Sequence, residues 1–198
     1  MFKILKTATL MSMILAAGAA TASAGVQNGE PAPAFTLTDA SGDKVSLSDS
    51  SGKVVVLEWT NPDCPFVQRH YKEGSMKKLT SAYSESGVVF LTINSTNYMD
   101  REANAAFAKK EGITWPLLVD QDGVIGHAYG AKTTPHMFII DTDGKVVYQG
   151  AIDDDPRGSK DAAARTGYVS EALDEVLAGK TVSIPETTPY GCSVKYKK

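Results

Sequence analysis

The chain has 198 residues, with 20 basic and 23 acidic side chains and a formal charge of −3. That length suits a leader plus one domain able to bury its own core, with no need for a second domain. The acidic balance repels phosphate backbones and no Lys/Arg stripe alternates with aromatics, which excludes nucleic acid as a partner.

The N-terminus carries Lys3 and Lys6, then an apolar stretch from Leu10 to Ala20, then Ala22-Ser23-Ala24. This is the layout of an export signal with a small-residue cleavage site. The apolar stretch is about a dozen residues, short of the ~20 that a bilayer-spanning helix needs. We therefore expect residues 1–24 to be cleaved, delivering a domain of residues 25–198 to the periplasm without stable membrane association. Cleavage removes two of the 20 basic side chains and none of the 23 acidic ones, taking the charge from −3 to about −5.

Phe35 to Thr38 alternates as a half-buried strand, Ser41-Gly42-Asp43 supplies a turn, and Val45-Ser46-Leu47 alternates again, predicting an N-terminal β-hairpin. Val54-Val55-Val56-Leu57 is continuously apolar and β-branched, as in a strand covered on both faces. A helix is predicted from Pro65 or Phe66 to about Tyr83, bent near Gly74. Val88 to Ile93 reads as a second buried strand, and Asp100 caps a helix that closes at Gly112. Trp115 to Val119 is a short strand. After Thr133-Thr134-Pro135, strands His136 to Ile140 and Lys145 to Tyr148 flank an Asp143-Gly144 turn. A last amphipathic helix spans Tyr168 to Leu177, and a tail without strong period runs from Lys180 to the end. Strands alternating with helices, then a hairpin and a closing helix, predict an α/β sandwich around a mixed sheet.

Two cysteines, Cys64 and Cys192, enter an oxidising compartment, where one structural disulfide clamping the tail is the plainest use. Cys64 has surroundings suited to reactivity instead. It follows the polar turn Asn61-Pro62-Asp63 and precedes Pro65 at the start of a helix. Backbone donors and the helix dipole favour a thiolate at such a terminus.

The ordered series PAPAFTLTDASGDKVSLSD, GKVVVLEW, CPFV, TTP, MFIID and DGKVVYQG resembles the thioredoxin-like redoxins. Within them it is most similar to the peroxiredoxin-like branch of the alkyl hydroperoxide reductase and thiol-specific antioxidant group. The resemblance implies a thioredoxin-like three-layer sandwich with a mixed central sheet, an N-terminal β-hairpin and a C-terminal tail. It makes Cys64 the attacking thiol and Pro135 a cis-proline facing it, with the Thr134 backbone offered to an extended substrate. Glu58 stands where thioredoxins place a buried acid that manages proton transfer, although an outward salt bridge also fits. His136, next to Pro135, is expected near Cys64, tuning its pKa or hydrogen-bonding a loop.

Several positions depart from the family pattern. Val67 stands where thioredoxins carry a second cysteine, and Asn61 and Leu57 where peroxiredoxins carry a hydroxyl residue and a proline; Thr60 is one position off. The peroxiredoxin arginine has no clear counterpart, Arg69 being the nearest in sequence. Cys192, on a tail that the preceding glycine makes mobile, is then the candidate resolving thiol. The expected activity is that of an antioxidant-type thiol oxidoreductase acting on a disulfide or a peroxide, with a thiol reductant or disulfide client as partner and no organic cofactor. Two alternatives stand beside it, a hydroperoxide reductase in the narrow sense and a copper-handling protein using Cys64 and His136. The copper signature of the related Sco proteins is broken, since Gln68 replaces its second cysteine. Asp153-Asp154-Asp155 and the Asp-x-Asp-Gly runs at Asp120 and Asp141 lack further calcium ligands and read as solvated turns.

Overall fold

A computed structural model describes residues 25–197, so the expected leader lies outside the described residues. Strands β1 (Thr36–Asp39) and β2 (Lys44–Ser46) form the N-terminal hairpin. Its turn is held by the Asp39 carboxylate, which accepts 2.9 Å hydrogen bonds from the backbone N–H groups of Ser41, Gly42 and Asp43. The β-branched run becomes β3 (Val55–Trp59), buried at every residue. Helices α1 (Pro65–Glu73) and α2 (Ser75–Tyr83) follow, divided at Gly74, whose φ of 72° is left-handed and ends the first helix.

Strand β4 (Val89–Asn94) leads to α3 (Arg101–Glu111), capped by Asp100, which accepts from the Ala103 N–H at 2.9 Å. Then come β5 (Leu117–Val119), α4 (Val124–Tyr129), β6 (Thr133–Thr134), β7 (His136–Ile140), β8 (Val146–Gly150), α5 (Tyr168–Leu177) and β9 (Cys192–Ser193). Seven strands make one mixed sheet in the order β2-β1-β5-β4-β3-β7-β8, with β3, β4 and β5 mutually parallel; β6 and β9 make a separate two-stranded sheet. This is the predicted thioredoxin-like sandwich.

The crossovers β3 to β4 and β4 to β5 step across the sheet in one direction. Right-handed connections therefore put α1, α2 and α3 on one face, while α4, in the antiparallel return from β5 to β7, packs against the other through Ile125 and Tyr129. Each face carries its own core. Val56, Val67, Tyr71, Phe107, Met137 and Leu173 belong to one, and Leu57, Trp59, Leu91, Tyr129 and Phe138 to the other. Central strand β3 feeds both, and Cys64 lies just past its carboxyl end, where open α/β sheets place their sites.

The sequence does not predict α4, β6 or β9. Helix α4 is only six residues long between Gly123 and Gly130, too short to show a helical period. Its start is fixed by Asp120, which accepts from the N–H groups of Ile125 at 3.1 Å and Gly126 at 2.8 Å.

Leu57 is 0% exposed at the centre of the second core. Leu57→Ala is expected to lower stability by about 2–5 kcal/mol in urea denaturation, without altering the Cys64 site on the opposite face.

Candidate active site

Cys64 occupies the N-cap of α1 with Pro65 at the first helical position. The Asn61 side chain ties the preceding turn by accepting from the Asp63 N–H at 2.9 Å, and the Cys64 N–H donates to the Asn61 carbonyl at 3.0 Å. The residue is 1% exposed. Its thiol donates to the Thr134 carbonyl at 2.9 Å, and the Thr134–Pro135 peptide is cis. Burial alone pushes the thiol pKa up. The neighbouring Cys192 thiol, the Thr134 side chain and the backbone N–H groups of Val67 and Cys192 favour the anion and outweigh it, so the net shift is downward, toward thiolate.

Cys192 reaches this sulfur as part of a strand. In the antiparallel β6–β9 pair, Thr133 faces Ser193 and Thr134 faces Cys192. The tail thus fills the backbone position that the sequence assigned to an extended substrate. Both cysteines are free. Burial, and then the adjoining Cys64, push the Cys192 thiol up to about 11, so the pair divides into an inner sulfur biased toward thiolate and an outer one held protonated.

The expectation of a mobile tail gives way to a docked one. Tyr190 donates to Asp153, accepts from Arg69 Nη2 at 3.2 Å, and has its hydroxyl oxygen 2.9 Å from His70 Nε2. Val194 is buried, the Asn97 N–H donates to the Lys195 carbonyl at 2.9 Å, and the Tyr196 hydroxyl donates to Ala131 O at 2.7 Å. The Tyr196 ring stacks on His127 with centroids 3.9 Å apart. Gly191 makes the close approach possible: at φ 140°, a Cβ there would lie 2.1 Å from the Thr134 carbonyl oxygen.

Glu58 is buried on the α1 side of β3, not in an outward salt bridge. Its Oε2 accepts from the hydroxyls of Tyr71 at 2.8 Å and Thr92 at 2.9 Å, and Thr92 in turn accepts from the Trp115 ring N–H at 2.9 Å. Burial raises its pKa to about 7 against the opposing pull of those two hydroxyls. This carboxyl can hold or release a proton near neutrality.

His136 is not brought to Cys64. Side chains alternate along β7, so Met137 and Ile139 face the α1 side while the His136 ring sits 4.5 Å from Phe138 in the opposite core. Its Nδ1 accepts from the Lys132 N–H at 3.2 Å, and burial, helped by Lys132, lowers its pKa to about 3. The ring is neutral and serves the loop before β6. A metal held jointly by Cys64 and His136 therefore has no geometry here, and the described residues contain no cluster of three His, Cys, Asp or Glu.

Val67, at the second thioredoxin cysteine position, is fully buried. Arg69 is committed elsewhere, donating to the Asp155 carbonyl at 2.8 Å and to Tyr190. Thr60 carries a buried hydroxyl without a hydrogen-bond partner among the described residues. Of the aspartates read as solvated turns, Asp120, Asp153 and Asp155 are buried. They cap α4, receive Tyr190, and accept from the Ser159 N–H, respectively. Sequence reasoning missed Tyr190, Val194 and Tyr196, although with Cys192 they stand at alternate positions, the period of a strand.

Gly191→Ala is expected to lift the tail from β6 and speed iodoacetamide alkylation of Cys64 by about tenfold or more at unchanged far-UV circular dichroism. Glu58 supplies a pH test. Because its folded pKa of about 7 exceeds the ordinary 4.5, the folded state holds the proton more tightly. Its contribution is full below about pH 4.5 and is lost as pH rises toward 7, on the order of 3 kcal/mol in total. Buried His70, lowered to about 4, and His136, lowered to about 3, act in the opposite sense. The difference in urea stability between wild type and Glu58→Gln isolates the carboxyl, and the variant should gain relative stability as pH rises from 4.5 to 7.

A family model described as Redoxin matches residues 27–166, a span that includes Cys64, Glu58 and Pro135 and ends before Cys192. The thiol-disulfide oxidoreductase ResA of Bacillus thuringiensis (strain Al Hakam) is 32% identical over 124 residues, covering 63% of this chain and 69% of that protein. A solved structure of a hypothetical protein from Sinorhizobium meliloti 1021 has a TM-score of 0.79 at 29% identity, covering 87% of this chain and 96% of that one. An uncharacterized conserved protein from Geobacillus kaustophilus has a TM-score of 0.79 at 33% identity, covering 86% of this chain and 93% of that one. With the family model matching most of the chain and the predicted sandwich in place, this protein belongs to the redoxin family.

Proposed function

We propose that this redoxin is an exported thiol oxidoreductase whose working pair is Cys64 and Cys192. The observation that carries the reading is the meeting of two free thiols more than a hundred residues apart in sequence, Cys192 being paired in register with Thr134, whose carbonyl accepts from the Cys64 thiol. Cys64 is the nucleophile, its thiolate favoured by the helix terminus and the N–H groups of Val67 and Cys192. It attacks one sulfur of a small oxidant disulfide and expels the other as thiolate. Cys192 then loses its proton and attacks Cys64, releasing the second thiolate and leaving a Cys64–Cys192 disulfide. Glu58 is the proposed proton acceptor. The likeness to a thiol-disulfide oxidoreductase supports the reaction class. Cleavage after residue 24 and delivery to the periplasm complete the proposal; no helix of the described residues is long and apolar enough to cross a membrane.

The filled groove favours a second reading, in which the oxidant is a hydroperoxide. Attack on the peroxide oxygen gives a Cys64 sulfenic acid and an alcohol or water, and Cys192 condenses with it to the same disulfide, releasing water. The groups lowering the Cys64 pKa include no cation, which weighs against this oxidant.

Equilibration across a dithiothreitol redox series, with thiol labelling and mass spectrometry, tests the pair. A Cys64–Cys192 disulfide that titrates reversibly near the compartment's potential is expected, and either serine variant should abolish it. A bond that resists reduction far below that potential would return the pair to a structural clamp. Stopped-flow mixing of the reduced protein with hydrogen peroxide separates the two oxidants, since a rate no faster than free cysteine removes the peroxide reading.

A further inference from the structure

In the docked structure the two sulfurs are unequal in access. Cys64 is 1% exposed, beneath β9 and against the Thr134 carbonyl, whereas Cys192 is partly exposed and its neighbour Ser193 exposed. Displacement at a disulfide needs a near-collinear approach to the attacked sulfur from the side away from the leaving one. Such an approach to Cys64 is closed as long as the tail stays paired with β6, and the tail is fixed on both sides of Cys192, by Tyr190 and by Val194 and Tyr196.

We propose that external thiols reduce the oxidised protein by attacking Cys192 Sγ, with Cys64 as the leaving group, so that Cys192 forms the mixed disulfide with a dithiol partner protein. This rests on the redox-pair reading and assigns its exchange end. A partner thiolate forms a bond to Cys192 sulfur as the Cys64–Cys192 bond breaks, and Cys64 departs with the electron pair. The partner's second thiol then attacks the partner sulfur of the mixed disulfide. Cys192 is released as a thiolate and takes up a proton, and the partner leaves as a disulfide.

Two further features suit this direction. Lys195 lies close enough to Cys192 to lower its pKa by charge and donates to Ser193 Oγ at 3.3 Å, placing a cation where an incoming thiolate arrives. The leaving sulfur is the one whose anion is favoured, by the N–H groups of Val67 and Cys192, and a better-stabilised thiolate departs faster. The strand that roofs Cys64 thereby divides the labour, leaving the inner sulfur to small oxidants and the outer one to protein thiols.

The test uses the oxidised wild-type protein and a thioredoxin-type dithiol protein whose resolving cysteine is replaced by serine, so that the first exchange is trapped. Tryptic mapping distinguishes an adduct on the Cys192 peptide, residues 181–195, from one on the Cys64 peptide, residues 54–69. The adduct is expected on Cys192, and an adduct on Cys64, or none at all, overturns the inference. The intact mass taken before mixing separates the two levels. Absence of the Cys64–Cys192 disulfide at that stage removes the redox-pair reading itself. As a second measurement, the reduced single variants are mixed with 5,5′-dithiobis(2-nitrobenzoate). Cys192 in Cys64→Ser is expected to react about tenfold faster than Cys64 in Cys192→Ser despite its weaker acidity, and the reverse order counts against the inference.

Discussion

Backbone approach between Gly191–Cys192 and Thr134 is the contact on which the reactive part of this molecule depends. It covers Cys64, supplies one of the N–H groups that favour its thiolate, and brings a second sulfur beside the first. A two-residue ladder is far too short to persist alone in water. Its persistence comes from side chains at alternate positions, Tyr190 lodged against the first core and Val194 and Tyr196 against the second. The small sheet is therefore a product of tertiary anchoring, and any change that loosens an anchor acts on the thiols.

The Tyr190 anchor rests on a polar cluster between α1 and the segment after β8. Burial drives the His70 pKa down to about 4, so the ring is neutral where it meets Tyr190. Arg69 is held by the Asp155 carbonyl, and Arg165 bridges Glu73 and, at 2.9 Å, the Asp155 carboxylate. Partly buried ion pairs add little net stability because desolvation offsets most of the attraction, but they penalise misplaced geometry strongly. The cluster fixes where Tyr190 sits, and through it the register of β9.

The fold was largely legible in the sequence, because β3, β4 and β7 are buried on both faces and show it as β-branched apolar runs. Gly74 and Gly112 marked helix ends through a left-handed backbone that few other residues adopt, and Asp100 through its capping carboxylate. What escaped was either short or long-range. Helix α4 is held by one aspartate and two glycines, and β9 has no propensity signal beyond the alternation of four side chains in a polar tail. His136 shows a different limit. Its place beside Pro135 in sequence implied nearness to Cys64, yet alternation along β7 turned the ring into the opposite core. Glu58, Cys64 and Pro135 were legible as a group because the family pattern fixes them on β3, past its end and before β7. Cys192 lies past the matched segment, and only the folded chain shows where it goes.

The distance in sequence between the two sulfurs has a consequence for the chain as a whole. A bond between them would turn most of the domain into one closed loop, and the unfolded oxidised chain would be a ring with far fewer conformations than the open one. Loop-closure entropy for a ring of this size is worth on the order of 4–5 kcal/mol at 25 °C, if the native geometry accepts the bond without strain. The two redox forms would then differ in resistance to unfolding as well as in chemistry. By linkage the folded state itself would favour the disulfide, which ties the reducing power of the pair to the intactness of the fold around it.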